Sequence, residues 1–219
     1  MITLYGVSRS RASRPLWLLA EAGTPFTQVP VLQAYRHTGA NAGWAGLTTT
    51  SPAFLAINPQ AQIPALTDGD VTLTESLAIT LYLARKYGGT LGPQSDVETA
   101  LMEQWALFAA TAVEGPALEI HYPIAEGRAE TPEGAALISV ASAKLRRPLA
   151  RLQAHLATQS YLVGNRFTAA DINTAECVRY AQGATALMAE VPAVAEWLTR
   201  CQSRPAFQSM WAARLAETA

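Results

Sequence analysis

Residues 63–76, with the sequence IPALTDGDVTLTES, predict a β-hairpin that runs directly into a helix. The Asp-Gly pair at 68–69 lies between two short apolar runs, which is the strongest short-range signal for a hairpin turn. Residues 74–86 then repeat apolar side chains at helical spacing, and Gly88-Gly89 ends the pattern. The first part of the chain is therefore expected to end in two antiparallel strands and a helix.

The residues before this hairpin alternate between strand and helix patterns. Residues 2–7 are rich in β-branched and aromatic side chains, which is typical of a strand, and residues 11–22 carry a helical apolar period. Residues 26–32 alternate again and contain a proline, which favours an edge strand. Residues 34–51 are rich in Gly, Thr and Ala and are expected to form a long loop with at most one short helix. The predicted order is strand, helix, strand, connection, hairpin and helix.

The sequence changes character at residues 88–95, where GGTLGPQS predicts a linker. Beyond it we find no convincing strand. Helical periods cover residues 97–114, 133–158, 168–187 and 191–200. Thr168 and Asp171 have the spacing of a helix-capping box. We therefore expect an α/β domain at 1–87, the linker, and an all-helical domain at 96–219.

The composition bounds the class of protein. The 219 residues include 50% hydrophobic and 15% charged side chains, with a formal net charge of -1. This balance favours a buried core and argues against disorder and against nucleic acid or an acidic membrane surface as partners. No stretch is long and apolar enough for a membrane span, and the N-terminus lacks the pattern of a secretory signal. Two cysteines without a CxxC pair and three scattered histidines favour a reduced, cytoplasmic protein without a metal.

Residues 8–14, SRSRASR, lie between the predicted first strand and first helix. A serine at a helix N-terminus sits where anions are favoured, so Ser10 can donate a hydrogen bond to a bound thiolate. The alternative is that Ser10 only caps the helix, as serine often does. The three arginines of this segment are expected on a solvated face, with one of them pairing with a ligand carboxylate.

Two further motifs flank the hairpin. Ile63-Pro64 either holds a cis peptide bond, which exposes the Ile63 backbone to a peptide-like ligand, or is an ordinary trans proline at a strand start. Glu75 and Ser76 open the helix after the hairpin, where a carboxylate, a hydroxyl and helix amides can hold an amino-acid zwitterion. The alternative for this pair is a helix cap with a dipole-compensating acid.

A set of aromatic, histidine and methionine side chains lies in the helical half. Its members are Trp105, Phe108, His121, Tyr122, Met210 and Trp211. They either line an apolar substrate pocket or belong to the core, as most stripes at helical spacing do. The sequence alone leaves both interpretations open.

Together these motifs resemble the glutathione S-transferase family over nearly the whole chain. The resemblance rests on four motifs in the family's order: Ser10 to Arg14 at Ser-x-x-x-Arg spacing, Asn58-Pro59 ahead of Ile63-Pro64-Ala65-Leu66, Glu75-Ser76, and GNRFTAAD at 164–171. It implies a thioredoxin-like N-terminal domain with the order βαβ-α-ββα, an all-helical C-terminal domain, and a homodimer.

The resemblance also implies a site for glutathione as co-substrate. Its contacts would come from Gln62, Ile63, Pro64, Glu75, Ser76 and the Arg11 backbone. In that arrangement Pro64 would be the family's cis-proline, and Ile63 would pair with the cysteinyl unit through its backbone. Glu75 and Ser76 would hold the γ-glutamyl end.

Ser10 matches the catalytic serine of the family's serine-type classes. It would donate to the sulfur and lower a thiol pKa that starts near ~8.5. Tyr5, Ser8 and backbone N–H groups, among them that of Arg11, are the alternatives for this role. The thiolate would attack a small hydrophobic electrophile in a pocket of the helical half lined by Trp105, Phe108, Tyr122 and Trp211. Because no cysteine precedes Cys177, mixed-disulfide chemistry is not expected.

Two classes of function follow from these motifs. A glutathione transferase, or a related isomerase, dehalogenase or peroxidase, is favoured because the residues implied for the site are all present. The alternative is a non-catalytic protein of the same fold that binds ligands or acts in stress regulation. The 34–51 connection, which contains His37 and is longer than usual for the family, has no assigned contact.

Overall fold

A computed structural model describes residues 1–217 and divides the chain into two compact units. The first unit contains residues 1–92 together with the described end of the chain from Arg204 onward. The second unit contains residues 93–203. The expected helical domain at 96–219 therefore differs from the structure at its C-terminal end.

The first unit contains six short strands. They are β1 (Ile2–Tyr5), β2 (Thr27–Val29), β3 (Val31–Leu32), β4 (Leu47–Thr48), β5 (Ala65–Asp68) and β6 (Val71–Thr74). Four of them form a sheet in the order β2-β1-β5-β6, in which β1 is parallel to β2 and antiparallel to β5. The hairpin prediction is confirmed, since β5 and β6 are antiparallel and Asp68 lies opposite Val71. The strand predicted over residues 26–32 is divided at Pro30 into β2 and β3, which belong to different sheets, and β2 lies at the edge of its sheet as expected.

Two helices connect these strands, and a third follows β6. They are α1 (Ser13–Ala22), α2 (Pro52–Leu55) and α3 (Ser76–Tyr87). Helix α1 ends at Gly23, whose φ of 61° is a left-handed conformation that glycine adopts without steric cost. The first seven residues of α1, 13–19, are all buried. This helix therefore supplies much of the core of the first unit.

The connection at 34–51 contains more structure than the expected loop with one short helix. Two 3-10 turns, Ala34–Arg36 and Gly39–Asn41, precede β4, which pairs in parallel with β3. The Thr49 hydroxyl accepts a hydrogen bond from the Ala34 amide at 3.0 Å. The expectation of a loop with at most one short helix was wrong. The regular structure of this segment depends on the pairing of β4 with β3, and β3 lies outside the segment.

The second unit is helical. Its helices are α4 (Asp96–Phe108), α5 (Glu114–Ala125), α6 (Pro132–Leu156), α7 (Ala169–Val178), α8 (Thr185–Ala189) and α9 (Pro192–Gln202). A π-helical turn, Ala109–Val113, joins α4 to α5. The sequence analysis did not predict α5, whose Pro123 is unusual inside a helix. No helix in the described part of the chain is long and apolar enough to cross a membrane.

The predicted capping box is present at the start of α7. The Thr168 amide donates to Oδ2 of Asp171 at 2.9 Å. Oδ1 of the same carboxylate accepts from the Leu162 amide at 3.0 Å and from Nε1 of Trp197 at 2.9 Å. Asp171 therefore joins the preceding segment, α7 and α9 through one fully buried side chain.

The last helix of the described residues is α10 (Pro205–Ala216), which was not expected from the sequence and which belongs to the first unit. The ring of Phe207 meets the ring of Trp17 edge-on, with 4.8 Å between centroids. The Arg204 guanidinium holds both carboxylate oxygens of Glu21, at 2.7 and 2.8 Å. Because of these contacts with α1, helix α10 belongs to the first unit, whereas the helical domain was expected to extend over residues 96–219.

A buried carboxylate ties the hairpin to α3. Asp68 accepts hydrogen bonds from the Tyr82 and Tyr87 hydroxyls at 2.9 and 2.6 Å and from Nζ of Lys86 at 2.8 Å. The Lys86 ammonium, with help from the Tyr87 hydroxyl, lowers the pKa of Asp68 to about 2. The carboxylate is thus favoured in the folded protein over the protonated form.

This depressed pKa predicts an acid-dependent contribution to stability. In the unfolded chain an aspartate titrates near ~3.9, so the contribution is complete above that pH and is lost as the pH falls through about 2. We expect Asp68→Asn to be less stable than the unmodified protein at pH 6, with the difference shrinking below pH ~4. Urea unfolding at a series of pH values measures it, and a difference that stays constant with pH contradicts the assignment.

Candidate functional site

The register of the sheet brings three of the motif segments to one end of the first unit. Tyr5 lies opposite Ala65 across β1 and β5, and Ala65 lies opposite Thr74 across β5 and β6. The chain continues from these positions into Gly6, Pro64 and Glu75, respectively. The segments that carry Ser10, Ile63 and Ser76 therefore leave the sheet side by side.

The Ile63–Pro64 peptide bond is cis, as the resemblance implies, and the trans alternative was wrong. Gly6 brings the turn after β1 close to this segment. Its φ is +145°, and a Cβ at this position would lie 3.1 Å from Cβ of Ala12 and 3.5 Å from Cβ of Ile63. A residue with a side chain would be strained by this φ and would crowd Ala12, so glycine favours this close approach.

The Asn58 side chain positions the residues before the cis bond. Its amide group donates to the Gln62 carbonyl at 2.7 Å, and its Oδ1 accepts from the Gln60 amide at 3.1 Å. The Gln62 side chain is exposed, whereas Pro64 is buried. The Gln62 side chain therefore faces solvent, while the Asn58 side chain holds the backbone of the same residue.

Ser10 is half-buried in the turn between β1 and α1. Its hydroxyl donates to the Val7 carbonyl at 2.7 Å and accepts from the Ala12 amide at 3.0 Å. Because α1 begins at Ser13, Ser10 stabilises the preceding turn and does not cap the helix. To donate to a thiolate, the hydroxyl has to rotate away from the Val7 carbonyl.

The alternative thiolate donors have other surroundings. The ring of Tyr5 lies in an apolar cluster, with its centroid 6.3 Å from that of Phe54. Ser8 is buried, and its amide donates to the Glu217 carboxylate at 2.7 Å. The Arg11 side chain is exposed, and its carbonyl accepts from the Arg14 amide.

Arg14 does not lie on a solvated face, so that expectation was wrong. It is 1% exposed, and its guanidinium donates to Oγ of Ser76 at 2.7 Å. The contact joins the first turn of α1 to the first turn of α3. The sequence contains one indication that Arg14 is buried. It precedes the apolar Trp17 and Leu18 by three and four residues, so it lies on the same face of the helix as these two buried side chains.

Glu75 has an unusual backbone conformation. Its φ of 66° is rare for a residue with a side chain and costs about 1–3 kcal/mol. Glu75 is the N-cap residue of α3, and its exposed side chain makes no capping hydrogen bond to the helix. The carboxylate still lies at the helix N-terminus, where an acid compensates the helix dipole. Among residues 1–217 its carboxylate has no hydrogen-bond or ion-pair partner.

The four aromatic residues expected to line the electrophile pocket are only partly brought together. Trp105 and Phe108 meet edge-on at 5.5 Å in the second unit, and the Arg151 guanidinium lies over both rings. Tyr122, in the same unit, is 55% exposed. Trp211 belongs to the first unit, where it stacks on Phe207 at 5.6 Å.

The described residues contain no cluster of three His, Cys, Asp or Glu side chains that could hold a metal ion. Cys177 and Cys201 are both buried and form no disulfide with each other.

The fold and site define a two-domain protein in which a small sheet with a cis-proline precedes a helical domain. Residues 1–85 match the family model described as "Glutathione S-transferase, N-terminal domain", and residues 112–205 match "Glutathione S-transferase, C-terminal domain". The chain belongs to the glutathione S-transferase family. Its first unit is the thioredoxin-like domain and its second unit is the helical domain of that family.

Individual relatives agree with this placement. Glutathione S-transferase 3 of Zea mays is 33% identical, over 97% of this chain and 94% of its own length. The theta class glutathione S-transferase from the citrus canker pathogen Xanthomonas axonopodis pv. citri, solved with glutathione bound, is 32% identical with a TM-score of 0.72, over 95% of each chain. A probable elongation factor 1-gamma 2 of Arabidopsis thaliana is 35% identical over 59% of this chain and 31% of its own length.

Proposed function

We propose that this protein is a glutathione transferase that ionises the thiol of glutathione for attack on a small hydrophobic electrophile. Support comes from the family membership, from the relatives named for this activity, and from the site at the end of the sheet. The finer assignments below are part of the same proposal.

The backbone at Glu75 is the observation that carries the proposal. A left-handed conformation at a residue with a side chain persists only where the surrounding structure enforces it, and such residues concentrate at functional sites. The result here is an exposed carboxylate beside the first turn of α3. This is an arrangement that suits a ligand ammonium group.

Ser76 complements Glu75 in this role. Its Oγ accepts from Arg14, which fixes the oxygen while leaving the hydroxyl proton for a ligand acceptor. The N-terminus of α3 adds a favourable field for a carboxylate. We assign the γ-glutamyl ammonium to Glu75 and the γ-glutamyl carboxylate to Ser76.

The rest of the peptide follows the cis-proline segment. We assign the cysteinyl backbone to the Ile63 main chain, because an extended peptide can pair with exposed backbone groups at this point. Gln62 and the Arg11 backbone are the further contacts in the proposal. Gly6 lets the Ser10 turn lie close to Ile63, which supports our assignment of the thiol to the neighbourhood of the Ser10 hydroxyl.

The proposed chemistry is a proton loss followed by one bond-forming step. The thiol gives its proton to solvent, and the Ser10 hydroxyl donates a hydrogen bond to the thiolate. The sulfur lone pair then forms a carbon–sulfur bond with the electrophile, and a leaving group departs with its electron pair or the adduct takes a proton from water. Lowering the thiol pKa by one unit stabilises the nucleophile by about 1.4 kcal/mol.

Glu75→Gln tests the proposal directly. Removing the charge while keeping the shape is expected to weaken glutathione binding by roughly ten- to a hundredfold, as for other hydrogen bonds to charged groups. The control ligand is a glutathione analogue that lacks the γ-glutamyl ammonium group, which both proteins should bind with similar affinity. Titration calorimetry with both ligands measures this difference. Equal weakening of both ligands argues against the assignment.

A non-catalytic role is the second candidate, since the chain also matches elongation factor 1-gamma proteins over part of its length. Turnover separates the two, using glutathione with aryl halides, epoxides and organic hydroperoxides as electrophiles. Glutathione binding without turnover of any of these classes favours the non-catalytic role. A homodimer and a cytoplasmic location complete the proposal.

A further inference from the structure

The turn between β1 and α1 holds a carboxylate of the same chain. The Ser8 amide donates to Oε1 of Glu217 at 2.7 Å, and the Arg9 amide donates to Oε2 at 2.8 Å. Two consecutive amides that hold both oxygens of one carboxylate form an anion-binding concavity of the kind found at many phosphate and carboxylate sites. The turn therefore recognises an anion with the charge and shape of a carboxylate.

Three arginines surround this carboxylate site. The Arg214 guanidinium donates to the Ser8 carbonyl at 2.6 Å, and Nε of Arg9 donates to the Arg214 carbonyl at 3.1 Å. The Arg36 guanidinium reaches the Arg9 carbonyl at 3.4 Å. These contacts fix the turn and concentrate positive charge around it.

A cavity of about 290 Å³ opens beside the site, within the first unit. Apolar side chains of Val7, Leu32 and Trp44 form much of its wall, and Arg9 and Arg36 supply the charged part. Glu217 lies on its border. Apolar walls with a few convergent polar groups are the usual composition of a small-molecule site.

We propose that this cavity binds an apolar monocarboxylic acid, whose carboxylate replaces that of Glu217 on the Ser8 and Arg9 amides. Glu217 then acts as an internal competitor that occupies the anion site in the absence of ligand. The apolar body of the acid lies against Trp44 and Leu32. Arg36, which the 3-10 turn Ala34–Arg36 brings to the cavity, complements the negative charge.

The inference goes beyond the proposed function because it needs neither glutathione nor turnover. The two amides belong to the turn that carries Ser10, but their occupant is a carboxylate and the cavity walls come from the 34–51 connection and neighbouring strands. No contact of the 34–51 connection was expected from the sequence. The cavity gives it a role.

The test uses 4-phenylbutyrate as the probe and its neutral amide, 4-phenylbutyramide, as the matched control ligand. We expect Glu217→Gln to bind 4-phenylbutyrate about tenfold more tightly than the unmodified protein, because a neutral amide competes less well than a charged acceptor for backbone donors. Binding of the neutral amide should be weak and unchanged. Titration calorimetry on the full chain without glutathione gives both affinities.

Two further variants sharpen the outcome. Asp70→Asn removes the same charge from an exposed turn of the first unit and should leave the affinity for 4-phenylbutyrate unchanged. Adding Arg36→Gln to Glu217→Gln should remove most of the tenfold gain. Equal affinity of Glu217→Gln and the unmodified protein, or equal binding of the acid and its amide, overturns the proposal.

Discussion

Asp171→Ala is expected to destabilise the protein by about 3–5 kcal/mol, which is enough to unfold a large fraction of many domains. The carboxylate is fully buried and serves as the acceptor for two backbone amides and the Trp197 indole. Alanine leaves these donors without an acceptor in the core, and each such loss costs about 1–3 kcal/mol. It also removes the capping box of α7.

Chemical unfolding of the variant measures this loss, with Asp70→Ala as the matched control. Asp70 is exposed at the hairpin turn, so its replacement should change the free energy of unfolding by less than ~0.5 kcal/mol. If both variants lose the same stability, the buried hydrogen bonds of Asp171 contribute no more than a surface aspartate does.

The same residue gives a pH dependence of opposite sign to that of Asp68. Burial raises the pKa of Asp171 to about 6, although the Trp197 indole and the Leu162 and Thr168 amides act to lower it. The folded protein therefore binds this proton more tightly than the unfolded chain, so its contribution to stability falls as the pH rises from ~4 to 6. In Asp171→Asn that slope should be absent. The stability gap between the two proteins should therefore narrow as the pH rises.

Local chemistry explains which parts of the fold were predictable. The Asp-Gly turn and the helix after it are encoded locally, within Ala65–Tyr87, and the structure has both. The capping box was also read correctly, because Thr168 and Asp171 are three residues apart. In these cases the interacting groups are neighbours in the sequence.

Non-local pairing explains what the sequence could not show. Strand β4 is two residues long and exists because β3 lies beside it. Helix α10 joins the first unit through Glu21 and Trp17, which lie more than 180 residues earlier. No periodicity in residues 204–216 indicates such partners.

The candidate site shows the same division. Motif spacing identified the Ser10, Ile63 and Glu75 segments, and the sheet register brings them to one end of the unit. Three details of the site depend on tertiary contacts: the direction of the Ser10 hydroxyl, the burial of Arg14 against Ser76, and the hydrogen bond from the Ser8 amide to Glu217. The spacing of the motifs predicts which segments meet. The hydrogen-bond partners within the site cannot be predicted in this way, because they come from residues far apart in the sequence.

Ser10→Ala is expected to lower kcat/KM for glutathione conjugation by roughly a hundredfold near pH 6.5. The reason is that losing a hydrogen bond to the thiolate raises the thiol pKa toward the ~8.5 of a free thiol. Losses of this size follow removal of a single donor to a developing anion in other enzymes. The affinity for glutathione should change little, because Glu75, Ser76 and Ile63 remain.

The pH profile separates this role from a merely structural one. Ser10 also stabilises its turn through the Val7 carbonyl and the Ala12 amide, so alanine costs some stability at every pH. If Ser10→Ala acted only by destabilising the turn, the rate would fall by the same factor at pH 6.5 and at pH 9. A raised thiol pKa instead gives a loss that largely disappears at pH ~9, where free thiols are ionised.

Tyr5→Phe and Ser8→Ala complete the comparison. Tyr5→Phe keeps the ring in its apolar cluster with Phe54 and removes only the hydroxyl, and Ser8→Ala keeps the amide that holds Glu217. An ultraviolet titration of the bound thiolate should show a raised thiol pKa in Ser10→Ala alone. If Tyr5→Phe raises the pKa and Ser10→Ala does not, the tyrosine is the thiolate donor. If none of the three variants does, backbone amides of the turn stabilise the sulfur.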